Sequence, residues 1–112
     1  MATYNYRPRP SFERDLSRLG RLDPTIIDDI AEAIDILRSG DNLPEEYRDH
    51  ELKRKYDGYN EFHVRDTPEG QQPTDTNDVV VIYKKDYQDL VVIGVRAGSH
   101  KIVFGGAYRK NK

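Results

Sequence analysis

The chain has 112 residues, which suits a single domain (residues 1–112) with one hydrophobic core. It contains no cysteine, and this excludes disulfide frameworks, thiolate metal sites and thiol nucleophiles. No apolar run is long enough to span a bilayer, and the opening segment MATYNYRPRP lacks the apolar stretch of a signal peptide. We therefore expect a soluble protein of the cytoplasm.

Charge is distributed unevenly along the chain, although the formal net charge is only −2. Residues 1–40 carry six basic and seven acidic side chains, residues 41–78 carry five and eleven, and residues 79–112 carry seven and two. The last third therefore has a net charge of +5. A basic face of this kind can bind phosphate groups, because ionic screening limits what distant carboxylates contribute.

The N-terminal third predicts one short strand and two helices. Thr3 to Arg7 alternates polar and aromatic residues, as a strand does. Ser11 can cap a first helix that Gly20 would end. A second helix is expected between Asp23, as its N-cap, and Gly40, just past its end. Its apolar stripe consists of Ile26, Ile27, Ile30, Ile34 and Leu37.

The remaining apolar pattern predicts strands. Tyr59 to Val64 alternates, so Phe62 can face the core while Glu61 and His63 lie on the opposite face, towards solvent. The apolar runs at Val79 to Tyr83 and Leu90 to Val95 predict a hairpin with a buried face.

Two further segments complete the predicted organisation. A short strand is expected around Leu52, and Asp66 to Asn77 is a turn-rich, acidic loop. The predicted fold class is α+β, with two N-terminal helices packed on one side of a mainly antiparallel sheet of four to five strands.

Three histidines are the main candidates for chemistry: His50, His63 and His100. Their unperturbed pKa suits proton transfer near neutral pH, and all three lie at or after strand boundaries. Each can equally be a surface or structural histidine. A zinc site is weakly supported, because the spacings of 13 and 37 residues match no local metal motif. A serine hydrolase is disfavoured, because Ser99 adjoins His100 without a nucleophile-elbow motif.

Phe104 follows His100 at a spacing that places both on one side of a helical turn. In that arrangement the phenyl ring can stack on an RNA base while the imidazole transfers a proton. The alternative is that Phe104 packs in the core beside Ile102 or Val103.

Four sequence blocks occur in a characteristic order: LPEEYRDHEL (43–52), GYNEFHV (58–64), DVVVIYK (78–84) and RAGSHKIVFG (96–105). Together they resemble the YafQ branch of the RelE-like bacterial toxins, the toxin halves of type II toxin–antitoxin pairs. The resemblance implies a RelE-like fold and an endoribonuclease that cleaves messenger RNA, usually in the ribosomal A site. It also implies a hetero-oligomer with an antitoxin, no contact with membranes, and catalysis without metal or cofactor.

The resemblance carries individual residues into the active site. Those implied as catalytic are His50, His63, Asp78, His100 and Phe104. We expect His100 to act as the general acid, His50 or His63 as the base, and Asp78 to orient a histidine. Phe104 would stack on a nucleotide, and Arg96, at the family's basic position, would contact phosphate. The expected products are a 2′,3′-cyclic phosphate or 3′-phosphate and a 5′-hydroxyl.

The chain departs from the family pattern in the loop Asp66 to Asn77, which separates His63 from Asp78. Asp66 is therefore a rival for the role of Asp78. The loop itself is either a functionless insertion or a contact to ribosomal RNA or antitoxin, and its acidity disfavours the RNA contact. The basic residues of the tail, Arg109, Lys110 and Lys112, are either solvated end residues or RNA contacts. The alternative function is a RelE-fold protein that is inactive or ribosome-independent and acts mainly as an antitoxin-binding partner.

Overall fold

The computed structural model describes residues 3–105, so the predicted contacts of the basic tail lie outside the described residues. The helices are α1 (Pro10–Leu22), α2 (Pro24–Arg38) and α3 (His100–Phe104). The strands are β1 (Asn5–Pro8), β2 (His50–Glu51), β3 (Asn60–Arg65), β4 (Val79–Asp86) and β5 (Val91–Gly98). Single 3₁₀ turns are found at Glu45–Tyr47 and Arg54–Tyr56. Within residues 3–105, none of the helices is long and apolar enough to cross a membrane.

The five strands form one mixed sheet in the order β1-β5-β4-β3-β2. β1 runs parallel to β5, and the other neighbouring pairs are antiparallel. The α+β prediction of two N-terminal helices on a mainly antiparallel sheet is confirmed. The predicted hairpin is also present, with strands that extend further than the apolar runs that identified them.

The helices α1 and α2 cover one face of the sheet. The largest fully buried side chains between these layers are Phe12, Leu19, Ile26, Ile30, Leu37 and Phe62. α2 begins as predicted, because the Asp23 carboxylate accepts a hydrogen bond from the backbone N–H of Thr25 at 3.0 Å. The predicted bounds of α1 are wrong. Ser11 lies inside the helix and donates to the carbonyl of Val95 at 2.7 Å, and Gly20 lies within the last turns.

The helical layer approaches the sheet closely at Gly94 of β5. A Cβ atom at this position would lie 2.5 Å from the ring of Phe12, whose side chain is fully buried. Gly20 is different, since a Cβ there would lie 3.4 Å from Ile27, an ordinary contact distance. A substitution at Gly94 therefore tests packing against Phe12, whereas a substitution at Gly20 tests helix propensity.

We predict opposite effects of adding a methyl group at these two positions. Gly94→Ala should lower the free energy of unfolding by about 1–3 kcal/mol, because the buried Phe12 ring has to move. Gly20→Ala should raise it by about 0.5–1 kcal/mol, because alanine loses less backbone entropy in a helix. Urea denaturation of both variants and the wild type checks this. Equal stability of Gly94→Ala and wild type would contradict the close approach.

The second face of the sheet carries α3 and a smaller apolar cluster, which consists of Val80, Ile82, Val95 and Val103. Because side chains alternate along a strand, this face also receives Glu61 and His63 of β3. The prediction that His63 lies on the face opposite the core is correct, but the predicted exposure to solvent is wrong. Its side chain is only 10% exposed, because the surrounding site packs around it.

Candidate active site

The centre of the second face is a buried carboxylate, Glu61, which is only 4% exposed. Its Oε1 atom lies 3.2 Å from Nε2 of His50 and 3.3 Å from Nε2 of His63. Its Oε2 atom lies 3.9 Å from Nε2 of His100. The same ring nitrogen of each histidine therefore faces one carboxylate.

Three separate chain segments deliver these histidines. β2 pairs with β3, which places His50 directly opposite Glu61, and His63 follows two residues along β3 on the same face. His100 is the first residue of α3, where the Ser99 side chain accepts a hydrogen bond from the backbone of Ile102 and begins the turn. The pairing of β2 with β3 and the N-terminus of α3 therefore bring the three predicted histidines together.

Asp78 fixes the orientation of His100. One carboxylate oxygen lies 2.7 Å from Nδ1 of His100, and the other accepts from its backbone N–H at 3.0 Å. Burial alone would raise the pKa of Asp78, but these hydrogen bonds outweigh it and hold the pKa below its ordinary value. An ionised Asp78 accepts from Nδ1–H, so Nε2 is the nitrogen of His100 that faces Glu61.

Asp66, the rival for Asp78, contacts a different histidine. Its carboxylate lies 2.8 Å from Nδ1 of His63 and forms an ion pair with Arg48. Burial opposes ionisation, but the hydrogen bonds from His63 and Arg48 lower the pKa of Asp66. The pKa of His63 is raised, mainly by its hydrogen bond to Glu61, with burial opposing and Asp66 adding to the effect. The two aspartates thus orient different histidines.

His50 is held by the backbone of the preceding turn. Its Nδ1 lies 2.8 Å from the carbonyl oxygen of Arg48, and a carbonyl only accepts, so Nδ1 carries a proton. The hydroxyl of Tyr83 donates to the two carboxylate oxygens of Asp49, at 2.8 and 2.7 Å, which anchors this segment to β4. Nε2 of His50 remains directed at Glu61, and half of the side chain is exposed.

The two remaining predicted residues differ in their surroundings. The ring of Phe104 stacks on that of His100, with centroids 5.9 Å apart and an angle of 23° between planes. Phe104 is half-buried and also packs against the smaller cluster, so it borders both core and site. Arg96 forms an ion pair with Asp15 of α1 at 2.7 Å, which ties that helix to β5. Its predicted contact with phosphate stays a prediction.

The acidic loop borders the same site. A cavity of about 260 Å³ is lined by Arg48, Asp66, Thr67, Pro73, Asp78 and His100. The loop is held by its own hydrogen bonds, since the amide oxygen of Asn77 accepts from the hydroxyl of Thr67 at 3.0 Å and the N–H of Thr74 at 2.7 Å. The insertion therefore forms one wall of an open cavity beside His100.

Sequence reasoning missed the roles of Glu61 and Arg48. The signal for Glu61 was available, since an acidic residue shares a strand face with His63 in an otherwise alternating segment. Arg48 gave no such signal, because it contributes through its carbonyl and its ion pair with Asp66. Among the described residues, His50, Glu61 and His63 present ligand atoms that all lie within 4.8 Å of one another. Two imidazoles and a carboxylate suit zinc or copper, a grouping that the spacing did not reveal.

Comparison with known proteins assigns this arrangement to a family. Residues 4–105 match the family model described as bacterial toxin of type II toxin-antitoxin system, YafQ. The chain belongs to the YafQ toxin family. It is therefore the toxin component of a type II toxin–antitoxin system, and the family prediction is confirmed. A sequence search of the curated proteins gives no match.

Solved structures share this fold over nearly their whole length. YafQ from E. coli strain BL21(DE3) has 23% sequence identity and a TM-score of 0.69, covering 91% of this chain and 99% of that chain. YafQ in the E. coli DinJ-YafQ toxin-antitoxin complex has 23% identity and a TM-score of 0.68, with coverages of 92% and 99%. A copper-bound mutant toxin from Helicobacter pylori has 25% identity and a TM-score of 0.67, with coverages of 90% and 99%. The YafQ/RelE-like fold is thereby confirmed.

The two carboxylates around His63 lead to a prediction about its titration. NMR titration of the imidazole signals should give a pKa for His63 above the ordinary 6.5. Asp66→Asn should lower that pKa, because one of the two carboxylates that stabilise the imidazolium is lost. Asp75→Asn, an exposed position in the same loop, is the matched control and should leave it unchanged.

This raised pKa has a definite consequence for stability. Below about pH 6.5 His63 is protonated in both folded and unfolded chains, so its full stabilising contribution is present. As the pH rises through the raised pKa of the folded state, that contribution is lost.

An equal His63 pKa in Asp66→Asn and wild type would show that Asp66 does not stabilise the imidazolium.

Proposed function

We propose that this toxin is an endoribonuclease that cleaves messenger RNA on the ribosome by acid–base catalysis without a metal ion. One observation carries the proposal: the Nε2 atoms of His50, His63 and His100 surround the buried carboxylate of Glu61 beside an open cavity. Proton donors and acceptors close to one point are what cleavage by the ribose 2′-hydroxyl requires.

The reaction has two proton transfers. A base takes the proton of the 2′-hydroxyl, and the 2′-oxygen forms a bond to the adjacent phosphorus. The bond from phosphorus to the 5′-oxygen then breaks, and an acid protonates that leaving oxygen. The products are a 2′,3′-cyclic phosphate and a 5′-hydroxyl, and positive charge is needed where the phosphorane develops.

His100 suits the role of general acid. Asp78 accepts from Nδ1–H, which leaves Nε2 to carry and release the proton. The Asp78 carboxylate also orients the ring, in the way a carboxylate supports a catalytic histidine. Phe104, stacked on His100, positions the nucleotide at the same place.

The hydrogen bonds favour His50 over His63 as the base. The raised pKa of His63 favours its protonated ring, and this suits stabilisation of the phosphorane. In His50, Nδ1 already donates to the Arg48 carbonyl, so Nε2 is the nitrogen that accepts a proton. The Glu61 carboxylate lies 3.2 Å from that nitrogen.

The geometry disfavours the alternative of an inactive antitoxin-binding protein. Burying the Glu61 carboxylate costs on the order of several kcal/mol unless neighbouring donors compensate. A surface that only binds a partner needs neither this buried charge nor three oriented imidazoles. The solved DinJ-YafQ toxin-antitoxin complex supports an antitoxin as the partner that holds the toxin inactive. Cleavage of messenger RNA on ribosomes would require a cytoplasmic location.

The proposal predicts that His100→Ala loses RNA cleavage while the protein still folds. Removal of the general acid should reduce cleavage by about 100-fold or more. Wild type and variant are induced in bacteria, and the 5′ ends of cellular RNA are mapped by sequencing. Gln88→Ala, in the exposed β4–β5 turn, is the control and should cleave like wild type. Identical new 5′ ends and equal growth arrest with His100→Ala would remove His100 from the mechanism.

A further inference from the structure

An aromatic path continues from the histidines across the same face of the sheet. Beyond the stacked pair of His100 and Phe104, the ring of Tyr56 lies 5.9 Å from that of Phe104, and the ring of Tyr59 lies 6.0 Å from that of Tyr56. All three rings are half-buried and pack against the smaller apolar cluster. We call Phe104, Tyr56 and Tyr59 the aromatic track.

Three exposed cations border the aromatic track. The guanidinium of Arg9 lies 5.5 Å from the ring centre of Tyr59, and its Nη2 donates to the Tyr59 hydroxyl at 3.1 Å. The ammonium of Lys84 lies 5.2 Å from the same ring, and that of Lys55 lies 5.6 Å from the ring of Tyr56. Two cations therefore border Tyr59 and one borders Tyr56, on a surface that begins at the proposed catalytic centre.

Sheet geometry explains the connection to the site. Tyr59 lies immediately before β3 and two residues before Glu61, and it packs against the smaller apolar cluster on the same face of the sheet. Lys84 lies on the neighbouring strand β4. The aromatic track thus begins beside Glu61 and reaches His100 through ring contacts.

We propose that the aromatic track binds the single-stranded RNA next to the scissile phosphate, with bases stacked on the rings and phosphates against Arg9, Lys84 and Lys55. This inference rests on the proposed function. Aromatic rings accept any base by stacking, and cations beside them neutralise the backbone that links those bases. The positive charges also select a polyanion over an apolar peptide as the occupant.

The chain supplies a matched control with the same chemistry on the other face. Lys85 lies 5.0 Å from the ring of Tyr4 and 5.7 Å from that of Tyr87, and the two rings contact edge to face. Because Lys85 follows Lys84 on one strand, it points to the face that carries α1 and α2. Both faces of the sheet therefore carry a cluster of cations and aromatic rings, but only the aromatic track lies beside His100.

The test measures binding of a short, single-stranded RNA of mixed sequence, labelled with fluorescein and 2′-O-methylated on every ribose so that it cannot be cleaved. Fluorescence anisotropy gives the Kd at several salt concentrations. Tyr56→Leu should weaken binding at least about fivefold, because a base loses its stacking partner. Lys84→Gln should lower the slope of log Kd against log salt by about 0.7. The controls Tyr87→Leu and Lys85→Gln should bind like wild type.

The outcomes separate this inference from the proposed function, since RNA cleavage by the wild type is measured independently by 5′-end mapping. Wild-type affinity in both Tyr56→Leu and Lys84→Gln would overturn the aromatic track and leave cleavage at the histidines standing. Equal losses in the control pair would also overturn it, because RNA binding would then not be confined to the face that carries His100. If Tyr56→Leu and Lys84→Gln bound RNA like the wild type but bound the antitoxin more weakly, the surface would belong to a protein partner instead. Lys84 is exposed, so its variant stays informative if Tyr56→Leu lowers the melting temperature.

Discussion

The buried Glu61 carboxylate is the constraint on which the rest of the site depends. A carboxylate removed from water needs compensating neighbours, and here Oε1 faces the imidazoles of His50 and His63, while Oε2 lies 3.9 Å from Nε2 of His100. The constraint works in both directions. The histidines stay close together because Glu61 attracts them, and Glu61 stays buried because they compensate its charge.

Each histidine has a second contact that fixes the orientation of its ring. Asp78 holds His100, Asp66 holds His63, and the Arg48 carbonyl holds His50. In every case Nδ1 makes the outer contact and Nε2 is directed inward. These outer contacts differ in charge, since two rings contact carboxylates and one contacts a neutral carbonyl. The difference supports the proposal that the three rings act as acid, electrostatic stabiliser and base.

Much of the fold could be predicted from the sequence because helix and strand periodicity are local properties. The cap at Asp23, the apolar stripe of α2 and the hairpin of β4 and β5 follow from such patterns. The bounds of α1 could not be predicted, because the Ser11 hydroxyl bonds to β5 rather than to its own helix, and Gly20 is tolerated within it. Tertiary contacts override local signals at these positions.

The grouping of the histidines with Asp78 could be predicted, but the contacts among them could not. The order of the family's sequence motifs grouped the histidines with Asp78. The central position of Glu61 depends on strand pairing, and the contacts of Asp66 with His63 and of Asp78 with His100 depend on the course of the loop between them. Arg96 shows the opposite case. Its sequence position suggested phosphate, and its ion pair with Asp15 depends on how α1 packs on β5.

The proposed nucleophile at this cluster of histidines is the ribose 2′-hydroxyl. The most direct measurement compares cleavage, by purified toxin on programmed ribosomes, of a messenger RNA and of the same RNA with one 2′-deoxynucleotide at the mapped scissile position. Attack by the 2′-hydroxyl should yield a 2′,3′-cyclic phosphate from the unmodified RNA and no cleavage of the deoxy-substituted RNA at that position. Cleavage of the deoxy-substituted RNA at an undiminished rate would contradict it, because the attacking oxygen would then come from water.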